Sequence, residues 1–226
     1  MTVVITGASR GIGKELINLF LDKNIQVIVL TSNPGNILLQ NANLHIIEAN
    51  FNDMEAVFKA AGQIKSLTKE VNVLINNAAT LVNKPFLEIA VKEFEDTYRV
   101  NVEAPFFLTQ QLTSVMGLTK TAHIVNISSI GGFMGSVKFA GLSAYSSSKG
   151  ALSVLTECLA EELRNKNIRA NCLCLGAVNT EMLKQAFPGY EAPLNPEQMA
   201  QYIADFALTG HTFFNGKILP VSVSTP

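Results

Sequence analysis

Val3-Val4-Ile5-Thr6-Gly7-Ala8-Ser9-Arg10-Gly11-Ile12-Gly13-Lys14-Glu15-Leu16 is the stretch that decides the fold of this chain. Its first four residues are a continuous apolar or β-branched run, as in strands covered on both faces. Three glycines follow in the spacing G-x-x-x-G-x-G, and from Ile12 the pattern turns helical. Gly7 permits a tight exit from the strand. Gly11 lets backbone approach a pyrophosphate with no Cβ between them, and Gly13 lets the helix sit close to the sheet. The helix start offers free N–H groups and a positive dipole end to an anion. The plain alternative is an ordinary glycine-rich strand-to-helix turn. A position on the first strand favours a phosphate cradle made by Gly7, Ser9, Arg10, Gly11, Ile12 and Gly13.

Working outward, the same alternation repeats. Val3–Thr6, Gln26–Thr31, Leu44–Glu48, Val71–Asn76, His123–Ser128, Ile168–Leu175 and Lys217–Val221 read as seven strands. Helical patterns lie at Ile12–Asp22, Asp53–Thr68, Val91–Leu118, Ser146–Asn165 and Pro196–Leu208. Strand and helix in alternation predict an α/β fold: one Rossmann-like, doubly wound, seven-stranded parallel sheet with helices on both faces. The expectation is a single domain over residues 1–226. Asn179–Pro196, with Pro188, Pro193, Pro196 and Gly189, reads as a loop or short substrate lid.

Composition narrows the function classes. The 226 residues are 48% hydrophobic and 15% charged, below the roughly 25% charged that is usual. Disorder is excluded, and part of the surface is expected to be covered by another subunit. Lys+Arg total 17 against Asp+Glu 18, so no basic surplus points to nucleic acid or an anionic membrane. Three cysteines make no disulfide framework, and a cytoplasmic location is expected. The N-terminus carries no signal pattern, and no run reaches the roughly 18 to 20 apolar residues of a spanning helix.

In open α/β sheets, ligands sit beyond the carboxyl ends of the strands. An acid ending the second strand would bond a ribose 2′-hydroxyl and repel a 2′-phosphate. Here the strand ends Thr31-Ser32-Asn33, with Arg10 nearby. Hydroxyls and a cation suit a phosphate, so NADP is expected over NAD. Asn50 and Phe51 after the third strand are expected at the adenine edge, and Asn52 or Asp53 as a helix cap. Asn77 and Ala78 after the fourth let backbone pass close to a ribose.

Ser128-Ser129 ends the fifth strand, and Tyr145-Ser146-Ser147-Ser148-Lys149 opens the next helix. Tyr145 and Lys149, at i and i+4, share one face. An ammonium beside a phenol lowers the phenol's pKa and readies it to exchange a proton with a substrate oxygen. Alone, Y-x-x-x-K is a weak signal and more often a solvated helix face.

Together these motifs resemble the short-chain dehydrogenase/reductase (SDR) family, over almost the whole chain. They occur in family order: Thr6-Gly7…Gly11-Ile12-Gly13, Asn76-Asn77-Ala78-Ala79, Arg99-Val100-Asn101, Val125-Asn126-Ile127-Ser128-Ser129 and Tyr145…Lys149. The resemblance implies a catalytic tetrad of Asn101, Ser129, Tyr145 and Lys149. Tyr145 would be the general acid/base. Lys149 would lower its pKa and hold the nicotinamide ribose. Ser129 would orient the carbonyl, and Asn101 would hold a water linking Lys149 to solvent. Thr180 would bind the carboxamide, with Val178 and Gly176 beside it. A carbonyl or alcohol substrate, a homodimer or homotetramer, and no metal are implied.

The chain departs from the family pattern in places. Leu175-Gly176 stands where Pro-Gly is usual, and Asn50 replaces the usual Asp. Ser129 and Tyr145 lie 16 positions apart, a few more than the family's norm. The apolar segment Ile130–Ala144 either lines the substrate pocket or packs on the domain body. Ser128 and Ser143 compete with Ser129 for the substrate. Cys172 and Cys174 share a strand face without a second pair for metal, and Cys158 is expected to pack in its helix. His45, His123 and His211 form no triad. The rival function is a non-catalytic dinucleotide-binding sensor or scaffold, which has no need of Tyr145 and Lys149 together. Epimerase or lyase relatives keep the tetrad but are mostly longer than this chain.

Overall fold

The computed structural model describes residues 1–224. Seven strands form one parallel sheet: β1 (Thr2–Thr6), β2 (Gln26–Thr31), β3 (Leu44–Glu48), β4 (Val73–Asn76), β5 (Ala122–Ser129), β6 (Ile168–Leu175) and β7 (Ile218–Val221). Their order is β3-β2-β1-β4-β5-β6-β7, so the winding reverses between β1 and β4. Val3 pairs with Val27 on one side and Val73 on the other, which sets the register around that crevice. Val71, expected in the fourth strand, makes only an isolated bridge to Met116.

Alternation along each strand feeds two cores. Val3 and Ile5 join Leu16, Ile17 and Phe20 of α1 (Gly11–Leu21) and Ile203 and Ala207 of α7 (Pro196–Thr209). Val4, Ile28 and Leu74 join Val57 and Ile64 of α2 (Met54–Leu67) and Leu108 and Leu112 of α4 (Ala104–Leu112). Almost every side chain of β1, β2, β4, β5 and β6 is removed from water, hence the unbroken Val/Ile/Leu runs, while the edge strand β3 buries only Ile47 fully.

Two helical readings need refinement. The Val91–Leu118 segment is helical without interruption from α3 (Val91–Tyr98) through a wide π-helical turn at Arg99–Glu103 into α4, and ends in a 3-10 turn at Thr113–Val115. Pro105, near α4's start, lacks the N–H, and the wide turn just before it absorbs that loss within the run. The next helix, α5, runs Ser143–Glu162, so Ser143 is its first residue and not a free loop position. Asn179–Pro196 is mostly irregular but holds a short helix, α6 (Glu181–Ala186), started by Thr180, whose Oγ1 accepts from Leu183 N at 3.3 Å. No helix among the described residues is long and apolar enough to cross a membrane.

Candidate active site

One cleft of about 420 Å³ lies at the carboxyl ends of the strands, over the β1/β4 crevice. Its phosphate end is the turn after β1. Gly7 has φ +70°, and a Cβ there would stand 2.6 Å from Ala78 Cα; one on Gly13 would stand 2.5 Å from Gly7 O. Gly11, at φ +55°, differs: its missing Cβ would meet nothing nearer than Thr180 Cγ2 at 3.6 Å. Gly7 and Gly13 therefore allow close packing, while Gly11 leaves room in the cleft. Thr6 and Asn77 lock this turn to the one after β4. Thr6 Oγ1 accepts from Asn77 N at 3.0 Å and Ala78 N at 2.9 Å. Asn77 Nδ2 donates to Thr6 O at 3.0 Å and Gly7 O at 2.9 Å. The Asn77 amide is thus spent on holding the turn. Helix α1 begins at Gly11, and its first N–H groups have no intrahelical partner. A glycine-lined concavity with free amide donors fits a pyrophosphate.

Ser9, Arg10, Ile12, Thr31, Ser32, Asn50, Phe51, Gly176, Val178 and Thr180 also line this cleft. The local bonds refine some of their roles. Thr31 is buried and its Oγ1 accepts from Asn33 N at 3.1 Å, so it shapes the turn, while Ser32 is exposed. Arg10 Nη1 lies 3.1 Å from Glu181 Oε2, both exposed. Asn50 Oδ1 accepts from Asn52 N at 3.0 Å, and Asp53 Oδ1 caps α2 through Glu55 N at 3.0 Å. Gly176 is pinned by the chain beyond β7: a Cβ there would strike Ser222 Oγ at 2.1 Å, and Ala177 N donates to Ser224 O at 3.2 Å. These contacts restrain the Leu175-Gly176 turn where a proline is usual. Asn33, Asn52, Thr80 and Leu81 line the cleft as well and were not expected to. Thr80 and Leu81 reach it only through tertiary folding, whereas Asn33 next to Ser32 and Asn52 next to Phe51 were signalled by their neighbours.

The chemistry-bearing residues meet at the other end. Ser129, Tyr145 and Lys149 all line the cleft, from the end of β5 and the first turns of α5. Ser129 Oγ accepts from Gly131 N at 3.1 Å, which leaves its own proton to donate. Ser128 lines the cleft too, but its hydroxyl is engaged: the residue is buried and Oγ donates to Lys149 O at 2.8 Å. Ser143 is exposed on the first turn of α5. Asn101, fully buried in the π-helical turn, stands behind the cleft. Its Nδ2 donates to Thr80 O and Ser148 Oγ, both at 3.0 Å, and its Oδ1 accepts from Thr80 N at 2.9 Å. Its side chain therefore ties the Thr80 segment to α5 rather than reaching toward Lys149.

Lys149 Nζ donates to Ile127 O at 2.8 Å and sits 5.8 Å from the Tyr145 ring centroid. Burial pushes this ammonium down to about 8, against an opposing pull from Cys172 and Cys174. Both thiols are buried against Ser153 Oγ, at 3.7 and 3.8 Å, whereas Cys158 is exposed and does not pack as expected. Burial pushes the Tyr145 phenol up to about 12, with the Ser129 hydroxyl pulling partly back. This reverses the lowering expected from the neighbouring ammonium. Loss of water around the phenol is the larger cause. The phenol is therefore protonated at neutral pH, the form that donates.

The family model for short chain dehydrogenase matches residues 1–191. The chain belongs to the short-chain dehydrogenase/reductase family. SDR relatives span nearly its whole length. It is 28% identical to a 3-oxoacyl-[acyl-carrier-protein] reductase of Aquifex aeolicus, covering 97% of this chain and 94% of that protein. It is 31% identical to carbonyl reductase [NADPH] 2 of Sus scrofa, covering 80% and 73%. A solved SDR fold, 4-hydroxyisoleucine dehydrogenase complexed with NADH, superposes with a TM-score of 0.87 at 26% identity, over 98% of this chain and 96% of that one. Membership of the SDR family makes the chain an oxidoreductase enzyme that uses a nicotinamide dinucleotide.

Proposed function

We propose that the chain is an NADP(H)-dependent carbonyl reductase or alcohol dehydrogenase with Tyr145 as its general acid/base. One observation carries this reading: the Tyr145 phenol, the Ser129 hydroxyl and Lys149 meet in one cleft with the glycine-rich turn. A sensor or scaffold needs no such group. When bound, the nicotinamide supplies or takes the hydride. The chain's own residues do the rest. Ser129 donates to the carbonyl oxygen and orients it. Tyr145 gives its proton to that oxygen as charge develops, and takes one back in the alcohol direction. Lys149 holds the nicotinamide ribose, Val178 and Thr180 the carboxamide, and the turn from Gly7 to Gly13 the pyrophosphate. Asn50 and Phe51 border the adenine.

NADP is assigned over NAD because β2 ends without an acid and Ser32 and Arg10 stand at the cleft. Arg10 must leave Glu181 to meet a 2′-phosphate. Such an exposed pair is worth only about 0–1 kcal/mol, less than a charged hydrogen bond to phosphate. Unpaired Cys158, Cys172 and Cys174 suit a reducing compartment, and we place the enzyme in the cytoplasm. The test is consumption of NADPH against ketones, aldehydes, quinones and 3-oxoacyl thioesters. Oxidation of NADPH by none of them contradicts the assignment.

A further inference from the structure

We propose that the substrate is a compact, uncharged, apolar ketone, held whole inside the cleft rather than on a tether. The inference rests on the carbonyl-reductase reading. The cleft that holds Ser129 and Tyr145 is also lined by Leu81, Ile130, Phe139, Met182, Leu183 and Phe187. Among the described residues, the only charged ones lining the whole cleft are Arg10, Lys149 and Glu181. Arg10 is taken either by Glu181 or, in the proposed reading, by the coenzyme's 2′-phosphate, and Lys149 is buried on Ile127 O. No cation is left to meet a carboxylate or phosphate on the substrate.

Two of these walls also meet. Phe139, in the segment before α5, meets Phe187, just beyond α6, edge to face at 5.2 Å. Asn83 stitches the same two walls to the segment after β4. Its Nδ2 donates to Ala186 O at 2.8 Å, and its Oδ1 packs so close to Gly141 that a Cβ there would stand 2.0 Å away. Lys84 N donates to Gly141 O at 3.1 Å. None of the nearby lysines lines the cleft: Lys84 pairs with Glu93, Lys138 donates to Phe133 O at 2.8 Å and Ser136 Oγ at 2.7 Å, and Lys184 lies on α6. A long acyl tether would have to part the aromatic pair, and a charged group inside the cleft would find no cation there.

The experiment compares acetophenone, 4-acetylbenzoate and acetoacetyl-coenzyme A as oxidants of NADPH and of NADH, and titrates the first two calorimetrically into enzyme saturated with NADP⁺. A carboxylate buried without a partner is costly, so acetophenone should exceed both others in kcat/KM, and 4-acetylbenzoate in affinity, by about tenfold or more. Met182→Arg adds a cation to the wall and should shrink the gap to 4-acetylbenzoate; if that variant fails to fold, the wild-type comparison stands alone. A smaller or reversed gap in binding or turnover overturns the inference. Turnover of none of the three, with the binding preference intact, contradicts the reductase reading and leaves the pocket's chemistry standing.

Discussion

Arg10 and Glu181 face each other at 3.1 Å across the cleft, one from the glycine-rich turn and the other from the first residue of α6. The pair joins the glycine-rich turn to α6, so in the proposed reading coenzyme choice and the position of the 179–196 segment share a contact. NADPH should bind more tightly than NADH by about 1.5–3 kcal/mol. Arg10→Ala should erase most of that gap with little change for NADH. Glu181→Gln should tighten NADPH by up to about 1 kcal/mol by freeing the guanidinium. Dissociation constants for both coenzymes measure all of this, and a wild type that prefers NADH refutes the role given to Arg10.

Ser129→Ala should lower kcat by about 10²-fold, the scale of removing one placed donor to a developing oxyanion. Ser143→Ala, at an exposed helix start, should cost less than about tenfold on that scale. Ser128→Ala removes a buried bond to Lys149 O, so its main effect should be on stability. Saturating kcat values and thermal midpoints for the three variants separate these roles. A large kcat loss at Ser143 with little at Ser129 would transfer the substrate contact to the other serine.

All seven strands were legible because most are buried on both faces and so carry continuous apolar runs. The π-helical turn between α3 and α4 was not, since the apolar pattern continues through it; Pro105 was the signal. The short α6 was masked by the prolines and glycine after it, although Thr180 followed by Glu181 is a helix-start pattern. Within the site, the glycine turn and the Tyr145/Lys149 spacing are local and could be read directly. The Asn83 stitch, the Arg10–Glu181 pair and the Phe139–Phe187 contact join residues 48 or more positions apart, and no periodicity encodes them. The direction of the Tyr145 shift was missed for a related reason: motif spacing places the cation but says nothing about water around the phenol.

Assembly follows from surface left apolar. Phe106 on α4 and Val154 on α5 are 41% and 57% exposed. Pairing of these helices between subunits would cover them, and a homodimer or homotetramer is expected at micromolar concentration. Val154→Asp should shift the protein toward monomer. Light scattering on both proteins decides it, and a monomeric wild type refutes it.

His123 makes stability depend on acid. It is buried on β5, with Nδ1 at 3.0 Å from Ala207 O and Nε2 at 3.0 Å from Asn171 Nδ2. The carbonyl can only accept, so Nδ1 carries the proton and Nε2 accepts from the amide. Asn171 is fixed in that orientation by donating to Phe214 O and accepting from Lys217 N, both at 3.0 Å. A proton on Nε2 would therefore meet an N–H. Burial holds this imidazole down to about 4 from 6.5. The folded value lies below the unfolded one, so the contribution is complete above pH 6.5 and lost as pH falls toward 4. Its size is about 3 kcal/mol. Urea unfolding of wild type and His123→Asn across pH 4–7 should show a steeper acid loss in the wild type. Parallel profiles would contradict this.

The central claim is that the Tyr145 phenol delivers the proton. Its most direct test is kcat for NADPH oxidation by a neutral ketone in Tyr145→Phe, with coenzyme affinity measured on the same protein. The account predicts a fall of about 10²–10⁴-fold in kcat with NADPH binding nearly unchanged. Equal turnover in wild type and Tyr145→Phe would contradict it.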